Sequence, residues 1–265
     1  MLSAGLDLPE RTTKPRRSGL SVVIDTGMPT GAFIDAISSA ADLVDLVKLG
    51  WGTALVTADL DRKLAVLRDL GIGWYLGGTL LEKYVLAGQV DRYRQLVDSL
   101  GCAAVEVSNG TIDLSNEEKC RLVTLLSRDC PVISEVGFKS AERSGALEPE
   151  VWAAWCRDDV EAGAMLVTLE ARESGRSGIC RPDGSMRRDV LDAVVQSGVD
   201  LDRLVFEAPT VAQQAEVVRA LGPNVNVANV KPEGVIGLET LRLGLRSDTL
   251  FAFPRAAGAL ARTRA

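Results

Sequence analysis

With 265 residues the chain has room for one large domain or two small ones, and 46% apolar with 25% charged residues is the balance of an ordinary globular protein. A net charge of −6 supplies no basic footprint for nucleic acid, and no apolar run reaches the roughly 18 residues that span a membrane, so neither partner is expected. The absence of histidine removes Ser-His-Asp and Cys-His machinery and any histidine zinc site, leaving acid–base work to Asp, Glu, Lys, Tyr or Cys and any metal to oxygen ligands.

Residues 9–18 are polar and partly basic, without the apolar core of a signal peptide, so residues 1–17 are expected to form a solvated tail. Residues 20–25 are apolar and β-branched and read as a first strand; residues 30–41 read as a helix with Phe33, Ile34 and Ile37 on one face. A second strand at 43–49 ends in Gly50-Trp51-Gly52, and a helix at 59–70 turns Leu60, Leu64 and Leu67 inward. The third strand, 72–76, closes on a turn, Gly77-Gly78-Thr79, and a helix covers 89–100. The fourth strand spans 103–108, and Ser115 with Glu118 three residues later forms a capping box that opens a helix through Ser127. The fifth strand, 131–136, leads through Gly137-Phe138-Lys139 to a helix at 148–162; the sixth, 164–170, precedes a helix at 189–197. Strands at 203–207 and 225–229 are followed by helices at 211–221 and 232–245.

Eight strand signals alternating with eight helix signals predict a parallel sheet, and eight units in so short a chain favour a closed (β/α)8 barrel (a TIM barrel) over an open doubly wound sheet. The expected layout is a tail at 1–17, a single barrel domain at 18–254 and a C-terminal tail at 255–265. The five cysteines, Cys102, Cys120, Cys130, Cys156 and Cys180, are scattered and odd in number, which suits reduced thiols and a cytoplasmic location.

In such a barrel, function sits at the C-terminal ends of the strands. Read in order, those ends carry Asp25, Lys48, Gly77-Gly78-Thr79, Glu106, Glu135 with Lys139, Glu170 with Arg172 and Glu173, Glu207, and Asn229. The apolar run into Glu170, followed by Gly175-Arg176-Ser177-Gly178, is the densest part of the pattern. A single buried ion pair would explain any one of these groups; a whole ring is costly without a ligand or metal. The carboxylates suit an oxygen-ligated divalent cation, and Lys48, Lys139, Arg172 and Arg176 suit an anionic substrate. The glycine-rich turns are open to two readings, tight structural turns or backbone cradles for phosphate. Magnesium with a phosphorylated carboxylic acid is the combination the ring describes.

The ordered set Val47-Lys-Leu-Gly-Trp-Gly-Thr53, Gly77-Gly-Thr-Leu80, Glu106-Val-Ser-Asn-Gly-Thr111, Ser134-Glu-Val-Gly137, Glu170-Ala-Arg-Glu-Ser-Gly175, Phe206-Glu-Ala-Pro209, Asn224-Val-Asn226 and Leu238-Glu-Thr-Leu-Arg242 resembles the phosphosulfolactate synthase family over nearly the whole chain. The resemblance implies a (β/α)8 barrel and magnesium-dependent addition of sulfite to phosphoenolpyruvate, giving 3-sulfolactate 2-phosphate, in a homo-oligomeric enzyme. It implies Lys139 as the acid that protonates C2, with Glu106 as a second catalytic candidate. Lys48, Gly78, Thr79, Arg172, Ser174, Arg176 and Asn229 are the expected substrate-binding residues, and Asp25, Glu135, Glu170 and Glu207 the expected magnesium ligands.

The chain departs from the family pattern at Thr26, where a lysine is usual, at Asn109, where aspartate is usual, at Phe138, the first of a usual lysine pair, and at Ser247, a usual glycine. Two readings therefore accompany the family reaction. One is a divergent enzyme joining phosphoenolpyruvate or a similar enol acid to another acceptor, with Phe138 facing a larger and less polar partner. The other is a non-enzymatic relative of the heat-stress-associated type.

Overall fold

The computed structural model describes residues 5–253, so the C-terminal tail expected at 255–265 lies outside the described residues. Eight short, largely buried strands form the centre: β1 (Ser21–Asp25), β2 (Leu46–Leu49), β3 (Gly73–Leu76), β4 (Ala104–Val107), β5 (Val132–Val136), β6 (Leu166–Leu169), β7 (Leu204–Glu207) and β8 (Asn226–Val230). They close in that order into one barrel, every neighbouring pair parallel. The single-domain (β/α)8 architecture expected from the alternation is the one observed.

The helices around the strands are α1 (Thr30–Ser39), α2 (Thr53–Val56), α3 (Leu60–Asp69), α4 (Gly78–Leu86), α5 (Val90–Ser99), α6 (Asn116–Leu126), α7 (Ala141–Gly145), α8 (Pro149–Glu161), α9 (Arg188–Val195), α10 (Val211–Leu221) and α11 (Val235–Arg242). The capping box before α6 forms as its spacing dictates: Ser115 Oγ accepts from the Glu118 N–H at 3.2 Å, and the Glu118 carboxylate accepts from the Ser115 N–H at 2.8 Å. Three elements differ from the sequence expectation. Gly77-Gly78-Thr79 is no closing turn but the entry to α4, and short helices α2 and α7 occupy what read as loops.

Strand alternation sorts the interior into two layers. Outward residues such as Val47, Val105, Val167 and Phe206 pack beneath the helices in the main core. Inward residues Val22, Tyr75, Ala104, Ile133, Leu166, Val205 and Ala228 fill the lower barrel. One period further along, the same inward face carries Lys48, Glu106, Glu135 and Glu207, and two periods past Leu166 it carries Glu170, all buried. Among the described residues, the apolar plug thus leaves the charged layer opening to solvent at the C-terminal mouth.

The seam where β1 meets β8 has an irregular register, and side chains patch it. Asn226 Oδ1 accepts from the Leu20 N–H at 3.0 Å while its Nδ2 donates to Asp202 O and Leu204 O. Buried Arg242 donates to Leu20 O, Pro223 O and Val225 O. The expectation of a solvated N-terminal tail is corrected here. Arg11 pairs with Glu239 at 3.0 Å and donates to Pro223 O, Gly19 O and Asn224 Oδ1, and Arg16 pairs with Asp45 at 3.0 Å, so this stretch straps the barrel base. Its basic side chains meet carboxylates on α11 and just before β2, and backbone carbonyls just before β1 and β8.

Candidate active site

A cavity of about 590 Å³ opens at the C-terminal mouth. Its floor is a six-membered charge network built from five strand ends. Lys48, on β2, reaches the centre, with Nζ 2.9 Å from Glu106, 3.3 Å from Glu207 and 3.4 Å from Glu135. Lys139, just past β5, places its Nζ 3.0 Å from the other oxygen of Glu135 and 3.2 Å from Glu170. Glu135 thus bridges the two lysines.

The remaining carboxylate oxygens are held by backbone. Glu106 Oε2 accepts from Gly78 N–H at 2.5 Å in the first turn of α4, where the helix dipole favours negative charge. Only glycine allows that approach, since a Cβ on residue 78 would collide with Ser108 Oγ and lie 3.3 Å from Glu106 Oε2. Glu207 accepts from Ala171 N–H at 2.9 Å, and Glu170 from the N–H of Arg172, whose φ of 47° turns the loop back on itself.

Burial and charge set the protonation states. Burial pushes Glu106 up to about 7, against the pull of Lys48. Burial, together with the charges of Glu135 and Glu207, raises Glu170 well above the carboxylate range. Burial would raise Glu135 too, but Lys139 and Lys48 hold it below that range. Burial opposes the charge on both lysines, yet Glu106, Glu207 and Glu135 keep Lys48, and Glu135 and Glu170 keep Lys139, above the usual lysine value.

Most of the expected site residues meet here. Lys48, Gly78, Thr79, Glu106, Lys139, Glu170, Arg172, Glu207 and Asn229 all face the cavity. Four do not. Asp25, expected on the metal, is turned away: its oxygens accept from Gly27 and Met28 N–H at 2.9 Å and pair with buried Lys63 at 2.5 Å. Glu135, also expected on the metal, lies beneath the cavity with both oxygens on lysines. Ser174 and Arg176 are exposed outside the cavity, because Gly175 and Gly178 take positive φ values that fold the loop, and Gln213 ties it down through Gly175 O at 2.8 Å and Gly184 O at 3.0 Å. Those glycines serve a structural turn. Phe138 faces no substrate either; it is 7% exposed and packs edge-on against Trp155. Thr26 and Asn109 lie off the cavity wall as well.

The sequence reading missed Trp51, Thr111, Ser140 and Arg143, which complete the wall. The first was visible as a bulky residue between two glycines after β2, where its φ of 50° marks a forced turn.

Magnesium, implied by the resemblance, meets a compatible donor set. Glu106, Glu170, Glu207 and Asn229 offer only oxygen or amide groups to the cavity, and Asn229 Oδ1 is buried with no hydrogen-bond partner among the described residues. Among the described residues no three acidic or sulfur side chains form a ready-made metal cage. Magnesium needs none, since it usually binds through one or two protein oxygens, water and substrate.

A barrel with a charged, solvent-accessible C-terminal mouth and a lysine between carboxylates is the architecture of an enzyme acting on a small molecule. The family model for (2R)-phospho-3-sulfolactate synthase (ComA) matches residues 9–248, and the chain belongs to that family, which consists of lyase-type enzymes. It is 46% identical over 246 residues to the phosphosulfolactate synthase of Bacillus subtilis (strain 168), covering 93% of this chain and 98% of the relative. It is 40% identical over 246 residues to the phosphosulfolactate synthase of Methanothermobacter thermautotrophicus, covering 91% and 95% of the two chains. Among solved structures, the YdjI aldolase of Escherichia coli K12 superposes with a TM-score of 0.54 at 12% identity, covering 82% of this chain and 76% of the aldolase, a likeness of fold alone.

Proposed function

We propose that the chain catalyses addition of sulfite to phosphoenolpyruvate, giving 3-sulfolactate 2-phosphate with magnesium as the activating ion. Lys139 carries this reading. Its ammonium opens onto the cavity, fixed 3.0 Å from Glu135 and 3.2 Å from Glu170, at the position the resemblance gives to the acid. The sulfur lone pair forms the bond to C3, the electrons of the carbon–carbon double bond move toward the carboxylate, and a proton is added at C2. Glu207 and Asn229 would hold magnesium, whose charge stabilises the negative charge that develops on the substrate carboxylate. Lys139 donates the proton to C2, and Glu170, 3.2 Å away with its carboxyl pushed up by burial, is placed to return one to Lys139. Lys48 holds Glu106 and Glu207 in place and balances the floor, so the cavity presents oriented groups rather than mobile charges.

The family match and the 46% identity to a named phosphosulfolactate synthase support this reading over a non-enzymatic relative. A larger apolar acceptor loses its motive, because Phe138 is buried. The test is direct: purified protein with phosphoenolpyruvate, sulfite and magnesium, product followed by mass spectrometry, and an EDTA control. Phosphosulfolactate that disappears with EDTA supports the whole reading; product that survives EDTA removes magnesium from it; no product under any condition removes the reaction.

A further inference from the structure

The floor of the cavity holds two ammoniums that face carboxylates on every side. Lys48 and Lys139 together contact four glutamates, so neither offers free charge to an arriving dianion. The cations left at the cavity are guanidiniums on its wall, Arg143 on α7 and Arg172 past β6. Neither has a carboxylate within 4.0 Å among the described residues.

Arg143 is carried by a built support. Its guanidinium lies over the buried Phe138 ring, 3.8 Å from the centroid. Phe138 is fixed by its edge contact with Trp155 and by buried Ser144, whose hydroxyl accepts from Phe138 N–H at 2.9 Å and donates to Phe138 O at 2.6 Å. Arg187 donates to Ser144 O at 2.8 Å and Leu147 O at 3.1 Å, pinning the end of α7 from outside. A stacked guanidinium keeps its in-plane N–H groups free, in the fork geometry that matches the oxygens of an oxyanion.

We propose that Arg143 is a substrate-binding and specificity-determining residue that takes the oxygens of a three-oxygen oxyanion at the cavity mouth, with Phe138 as its positioning platform. The oxyanion is either the phosphoryl group of the enol acid or the sulfur oxyanion that adds to it. This assignment rests on the proposed reaction for the identity of the ligands, but not for the binding itself. It also gives Phe138 a role: the residue that replaces a usual lysine serves to aim another cation.

The experiment separates the two sources and is readable without turnover. Calorimetric binding of phosphoenolpyruvate, and separately of sulfite, is measured in magnesium buffer for the unmodified protein, Arg143→Ala, Arg143→Lys and Phe138→Leu. Arg121→Ala, an exposed arginine paired with Glu117, serves as the surface control. Losing one charge-assisted fork should weaken one of the two ligands by about tenfold or more in Arg143→Ala, with partial recovery in Arg143→Lys. Weakened phosphoenolpyruvate binding assigns the phosphoryl group; weakened sulfite binding assigns the sulfur oxyanion. Phe138→Leu should weaken the same ligand by a smaller factor, with Arg121→Ala unchanged. Unchanged binding of both ligands in Arg143→Ala overturns the proposal, as does an equal loss in Arg121→Ala. If the unmodified protein forms no phosphosulfolactate yet binds phosphoenolpyruvate through Arg143, the reaction assignment fails and this one stands.

Discussion

The Ser108 hydroxyl donates to the Glu82 carboxylate at 2.5 Å, and the second oxygen of Glu82 accepts from Thr111 N–H at 3.2 Å. A buried glutamate on α4 thereby fixes the loop after β4, whose Gly110 and Thr111 form one wall of the cavity. Glu82→Ala strands a buried hydroxyl and a backbone N–H, and it should cost about 2–6 kcal/mol in urea unfolding at roughly 1–3 kcal/mol per orphaned group. Because the wall loosens, KM should rise more than kcat falls, with Glu82→Gln recovering part of both losses. A Glu82→Ala variant of unchanged stability would show that this contact is incidental.

Lys139→Ala should reduce product formation by about 10²–10⁴-fold, the ordinary contribution of a positioned acid. Circular dichroism should show an intact fold, because the side chain is 21% exposed rather than part of the core. Retention of near-normal turnover would move the proton donor elsewhere.

The pH dependence of stability follows from the carboxyls held high. In the folded protein Glu106 keeps its proton up to about 7, above its ordinary value of 4.5, and Glu170 is raised in the same direction. Across that window the folded state binds more protons than the unfolded state, so stability falls as pH rises through it. Glu135, held low, is ionised in both states there, while Lys48 and Lys139 are charged in both, so none of the three adds slope. Melting in EDTA should therefore give a Tm that declines from about pH 5 to about pH 8, and Glu106→Gln should flatten the decline. A rising Tm over that range would refute the assignment.

Lys119 and Asp159 form a fully buried pair at 2.7 Å, and Lys119 also donates to Glu135 O at 3.0 Å. Lys119→Met should destabilise by about 3–5 kcal/mol, because it leaves an unpaired buried carboxylate. Adding Asp159→Leu should recover much of that loss in urea unfolding; strict additivity of the two changes would contradict the pairing.

Thr26→Lys should leave KM for sulfite unchanged. Residue 26 is exposed off the cavity, and the neighbouring Asp25 already has a buried cationic partner in Lys63. A clear gain in sulfite use would show that the mouth extends further than its described wall.

Strand identity was legible because β-branched runs and their inward charges recur at a fixed period, and the same period made Lys48, Glu106, Glu170 and Glu207 readable as cavity residues. What misled was local chemistry with two outcomes. Gly77-Gly78 carries the signature of a turn, yet α4 starts there with no side-chain cap, because the Glu106 carboxylate takes the Gly78 N–H from another strand. Asp25 shared the strand-end position of the glutamates, but its shorter side chain falls within reach of Gly27 and Met28 N–H and never extends to the mouth. Arg143 had no signal of its own, since its place depends on a ring and a neighbouring loop that meet only in the folded chain.

The strap of Arg11 across Glu239, Pro223 and Gly19 lies with Asn226 and Arg242 at the barrel base, whereas the charged floor opens at the other end. The molecule therefore separates its wear points. Trimming the first dozen residues should shorten shelf life and lower expression while each surviving molecule turns over at its full rate. An immobilisation handle at that end would leave the working face toward solution.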